Sequence, residues 1–156
     1  MASTVALEIA GDNPIMLVSI EAPTDGGGVN RSGRLAKGSQ GKWRFGYYSP
    51  GISQGLLIEV TNGKTYDDTV LLNSLGSLQE ILPNYIDSSD ALTIAEQYGG
   101  NKLTEVDVIV CRLLGEATWP SSNPKKIVWE ITYKQIDGSQ VRLFIDAYNS
   151  IFLGRG

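Results

Sequence analysis

The chain has no histidine, a single cysteine and no long apolar run. Without histidine it lacks the side chain that most often serves as a general base near neutral pH, and also the commonest zinc ligand. The lone Cys111 excludes an internal disulfide. It stands among alternating apolar residues, so it reads as a small buried hydrophobe, because a reactive thiolate needs a cationic partner. Apolar runs such as residues 15–18 fall far short of the roughly 20 residues that cross a bilayer, so no membrane span is expected. Met1 is followed by Ala2, Ser3 and Thr4, with neither a basic nor an apolar leader region, so no secretory signal is expected. A trimmed signal would leave the same sequence, and the compartment stays open.

What is present can build a core. The 156 residues are 42% hydrophobic and 19% charged, with apolar residues spread along the whole length, which predicts a soluble globular protein rather than a disordered chain. A net charge of −4 points to no polyanionic partner, and no nucleic acid is expected. The charge is uneven: Arg31, Arg34, Lys37, Lys42 and Arg44 lie in a window that contains no acid.

Three blocks recur in the same order. Ala6-Leu7-Glu8-Ile9-Ala10 returns as Ala91-Leu92-Thr93-Ile94-Ala95, each behind a serine suited to cap a first helical turn, Ser3 in one case and Ser88 or Ser89 in the other. Gly11 with Pro14, and Gly99-Gly100, supply the stops. Trp43-Arg44-Phe45-Gly46-Tyr47 matches Trp129-Glu130-Ile131-Thr132-Tyr133, and the period of two predicts strands with their large apolar residues on one face. Ile58-Glu59-Val60-Thr61-Asn62-Gly63 matches Ile145-Asp146-Ala147-Tyr148-Asn149-Ser150 and closes on a turn pair. Residues 15–22 and 103–113 supply one further strand to each copy. Between the copies, Leu71, Leu72, Leu75, Leu78, Ile81 and Leu82 recur at three- and four-residue steps, predicting a helical turn or two that Pro83 ends.

The expected fold is therefore α+β: two repeated units, residues 3–66 and 88–153, each a short helix packed on an antiparallel sheet and related by a pseudo-twofold axis. A leucine-rich connector covers residues 67–87, and a sheet continuous across the join is one arrangement open to such units. The order Ala-Leu-x-Ile-Ala, a strand, Trp-x-Phe/Ile-x-Tyr, then Ile-Glu/Asp-Val/Ala-x-Asn-Gly resembles the PepSY-like and cystatin-like class of small α+β domains in both copies. That resemblance implies a helix lying across an antiparallel sheet, no shared catalytic residues, a frequent extracytoplasmic location, and a role as modulator or inhibitor of a peptidase. The cystatin-type inhibitory loop Gln-x-Val-x-Gly is absent.

Several segments invite a chemical reading. Gly28 and Gly33 have the spacing of a phosphate loop, but Arg34 and Leu35 stand where lysine and serine or threonine are required, and a flexible hairpin loop accounts for the glycines. Asp67-Asp68 lacks the alternating oxygen ligands of a calcium loop, and Asp87 and Asp90 sit where acids favour a helix start. No metal or cofactor is expected, and no serine has a base to activate it. The aromatics Trp43, Tyr47, Trp129 and Tyr133 are expected under the helices, or else along a groove if the helices leave part of the sheet open. The function expected is a non-enzymatic protein- or peptide-binding module. Its candidate contact residues are Arg31, Arg34, Lys42, Arg44, Tyr48 and Trp119, from the loops 24–42 and 115–126 and the neighbouring strand. The alternative is a small-molecule carrier with an apolar pocket between helix and sheet.

Overall fold

Alternation of large apolar and polar residues drives most of this chain into strands. The computed structural model describes residues 1–35, 41–71, 79–115 and 126–156. A helix α1 (Ala2–Ala10) precedes strands β1 (Met16–Ala22), β2 (Lys42–Ser49), β3 (Gln54–Thr61) and β4 (Lys64–Leu71). A second helix α2 (Ser88–Gln97) precedes β5 (Val106–Leu114), β6 (Val128–Gln135), β7 (Gln140–Asp146) and β8 (Phe152–Arg155). All eight strands join one antiparallel sheet in the order β4-β3-β2-β1-β5-β6-β7-β8.

This overturns the expected fold class. Among the described residues the molecule is mostly β, about 44% strand with two short helices, and not two repeated cystatin-like helix-on-sheet units. The reason lies in the middle of the sheet, where β1 pairs with β5 from Ser19↔Leu114 to Ala22↔Cys111. That ladder satisfies the backbone groups that two separate sheets would each leave at an edge.

Sequence similarity also misplaces detail at the helices. Ser3 lies inside α1, whose N-cap is Met1 with no side-chain cap bond, whereas α2 is capped by Asp87, which accepts the N–H of Ser88. The end of the expected first repeat and the start of the connector together form β4, which joins β3 through the Asn62-Gly63 turn; both turn residues have positive φ, as a two-residue hairpin of this hand requires. Leu71 thus ends a strand, and Ile81 and Leu82 lie outside any helix. Leu72, Leu75 and Leu78 fall outside the described residues.

One face of the sheet carries both helices. On α2, Ala91, Leu92 and Ala95 are fully buried against a core that includes Cys111, Trp129, Ile131, Tyr133, Leu143 and Ile145. On α1, only a stripe of Ala2, Ala6 and Ala10 is buried, against Tyr47, Leu56 and Ile58. Phe45 and Leu17 pack against both clusters. Leu7 and Leu92 occupy corresponding places in the recurring sequence, yet Leu7 is 50% exposed and Leu92 is 0% exposed, so the two helices are held very differently.

Candidate functional site

Because α1 lies over β2–β4 and α2 over β6 and β7, the sheet between them has no helix above it. Residues 79–86 run beside this gap as a strap with a turn at Pro83 and Asn84. It is tied down by Gln79 N–H to Gly115 O at 3.0 Å, Ile81 N–H to Leu17 O at 2.7 Å and Ile86 N–H to Ala147 O at 2.8 Å. Between strap and α1 runs a groove of about 540 Å³, floored by Leu17, Trp43, Phe45, Tyr47 and Val60 and walled by Ala2, Ile81, Pro83 and Tyr85. A smaller hollow of about 150 Å³ continues it past Trp43, Phe45 and Tyr85 to Trp129 and Ser88. Ile15, Leu17, Trp43, Phe45, Val60 and Tyr85 are only half-buried, so their apolar surface meets solvent along the groove.

The four aromatics expected under the helices thus divide. Trp129 and Tyr133 are buried, with the indole N–H of Trp129 donating to Ile86 O at 2.9 Å and the Tyr133 hydroxyl donating to Glu96 at 2.7 Å. Tyr47 is also buried, beneath α1 with Ala2, Ala6 and Ala10, and only Trp43 stays half-buried along the groove. Burial pushes the Tyr47 hydroxyl up to about 12, and burial together with the Asp87 charge raises Tyr85, so both stay neutral hydrogen-bonding groups at any physiological pH. Cys111 is fully buried and burial pushes its thiol up to about 12. Among the described residues no cluster of acidic or cysteine side chains is arranged to hold a metal ion, and no helix is long and apolar enough to cross a membrane.

The proposed contact residues are scattered and mostly engaged. Arg44 alternates with Trp43 and Phe45 and so points to the helix-free face. There it joins a row of alternating charge running across five strands through the register Glu59↔Arg44↔Glu21↔Arg112↔Glu130. Arg44 meets Glu59 at 2.9 Å and Glu21 at 3.7 Å, while Lys42 meets Asp25 at 2.9 Å and Glu59 at 3.2 Å. The hydrogen bond from Lys42 holds the Asp25 carboxyl below its usual range. Farther along the row, Arg112 approaches Glu130 at 3.7 Å, and Arg112 Nε and Glu130 Oε2 are buried with no hydrogen-bond partner among the described residues.

Arg31 reaches the end of α2 and bonds Glu96, Gly100 O and Leu103 O, so it fastens its own loop to the body. Arg34 is exposed, and Tyr48 is buried at 6% exposure. Trp119 lies outside the described residues. The glycines of this loop also have a different role from the one expected. A side chain at Gly28 would strike the carbonyl of Ile109, and one at Gly33 would meet the Ser89 backbone, so both permit close packing rather than flexibility.

The groove itself was only half visible in the sequence. Trp43, Phe45 and Tyr47 could be read as one face of a strand, but no local pattern marked Tyr85 and Ile81 as the opposite wall. Comparison of the chain with protein-family models, curated proteins and solved structures finds no match, and none of these comparisons identifies the PepSY-like or cystatin-like resemblance.

Proposed function

We propose that this protein is a non-enzymatic binding module that receives an apolar peptide segment of a partner protein in the groove between α1 and the strap. The observation that carries the reading is the half-buried aromatic floor of Trp43 and Phe45 facing half-buried Tyr85 across the groove. Aromatic side chains that stay partly exposed in a concave site supply much of the binding energy at protein interfaces. Support also comes from the chemistry at hand: no histidine in the chain, a thiol buried and pushed up by burial, and tyrosines that stay protonated.

Strand addition is the less favoured docking mode. The β4 edge carries Lys64, Asp67 and Asp68, and the β8 edge is four residues long with Gly154 in it, both features that discourage pairing with another strand.

Selection from a random peptide library on the immobilised protein tests the reading. Apolar sequences should be enriched and should lose binding to a Trp43→Ala protein that remains folded. Enrichment insensitive to Trp43→Ala and Tyr85→Ala refutes it. A second reading, a carrier of a small apolar molecule, is favoured by the groove's size of about 540 Å³, within the range of small-molecule sites. For that reading, a ligand at a hundred times its dissociation constant raises stability by about 2.7 kcal/mol, which a thermal-shift screen detects. Absence of any shift across lipid and metabolite sets refutes the carrier.

A further inference from the structure

The lining of the groove is uneven in charge. Glu80 stands at its strap side and Asp87 at the end nearer α2, whereas no lysine or arginine lines either part among the described residues. Asp87 caps α2, accepting from Ser88 N–H at 2.7 Å and from the Ser89 hydroxyl at 3.0 Å. Glu80 is exposed and has no hydrogen bond or ion pair with the described residues. Lys42 and Arg44, the bases nearest in sequence to the aromatic floor, are turned to the helix-free face and paired there with Asp25 and Glu59.

We infer that the peptide received by the groove carries lysine or arginine beside its apolar residues, an inference that rests on the reading of the groove as a peptide site. Three features of the lining converge on this class. Trp43, Phe45 and Tyr85 are partly exposed aromatic rings along the groove, a class of side chain that attracts a cation through its ring quadrupole. The apolar floor accommodates the methylene stem of a lysine or arginine while its head reaches the rim. At the rim, Glu80 and Asp87 offer charge of opposite sign, and burying an acidic residue among them would set like charges together in a place of reduced dielectric.

Two fluorescently labelled apolar octapeptides that differ only in having flanking lysines or flanking glutamates test this on the full chain by anisotropy. The lysine peptide should bind about tenfold more tightly at low salt, with the advantage shrinking in high salt and with Glu80→Gln. Trp43→Ala should weaken both peptides. If both bind equally, or the glutamate peptide binds better, and Trp43→Ala still weakens them, the groove is a peptide site but the inferred cation is wrong. If neither peptide binds the folded protein, the groove reading itself fails and takes the inference with it.

Discussion

Leu92 and Leu7 allow the different seating of the two helices to be measured directly. Leu92→Ala removes three carbon atoms from a side chain that is 0% exposed between α2 and the sheet, among Ala91, Ala95 and the β6–β7 core residues. The lost transfer energy and the cavity left behind together cost about 2–5 kcal/mol. For a chain of this size each kcal/mol lowers Tm by roughly 2–4 °C, so a central loss of about 3 kcal/mol corresponds to roughly 6–12 °C. Leu7→Ala makes the same chemical change where the side chain is 50% exposed, so its cost should stay within about 0.5 kcal/mol. Thermal unfolding followed by circular dichroism, with urea midpoints as a second measure, separates the two cases. Equal shifts would refute the claim that α2 anchors the core through Leu92 while Leu7 of α1 contributes little to it.

Three further outcomes follow from named contacts. Tyr133→Phe keeps the buried ring but removes the hydroxyl that donates to Glu96, and should cost about 1–2 kcal/mol in urea unfolding, because Glu96 keeps its bond to Arg31. Cys111, with its thiol pushed up by burial, should not react with a disulfide reagent such as dithionitrobenzoate at pH 8 in the native state, and should react promptly in guanidinium; rapid native reaction would contradict its burial. Burial alone would raise the Asp146 carboxyl, but the N–H groups of Tyr148 and Asn149, with Lys126 and the Asn149 side chain, hold it below its usual range. Its contribution to stability is therefore complete above the unfolded carboxylate range, about pH 4, and is lost as pH falls through the lowered folded value. The stability gap between the native chain and Asp146→Asn should accordingly narrow on acidification in urea titrations, and a gap unchanged between pH 7 and pH 2 would refute the assignment.

The local elements were readable wherever one residue pattern suffices. Period-two alternation around Trp43 and Trp129 marked β2 and β6, Asn62-Gly63 marked a turn, and Ala-Leu-x-Ile-Ala between stop signals marked two short helices. β4 escaped because Asp67-Asp68 interrupt its alternation, as acids do on an edge strand with little face to bury. The basic window near Arg44 looked like a free surface because the acids that neutralise it, Glu21 and Glu59, come from neighbouring strands whose pairing is not local.

By itself, then, the sequence marked both helices and six of the eight strands, which residue types the chain lacks, and which residues could pack. Tertiary structure alone decided that β1 would join β5 into one sheet, that Leu92 would be buried while Leu7 faces water, and that Trp43 and Phe45 would stay half-buried along a groove beside Tyr85. The physical reason is one of range. Strand and helix patterns express periodicity within about ten residues, whereas register, burial and concavity depend on contacts between residues far apart in the chain.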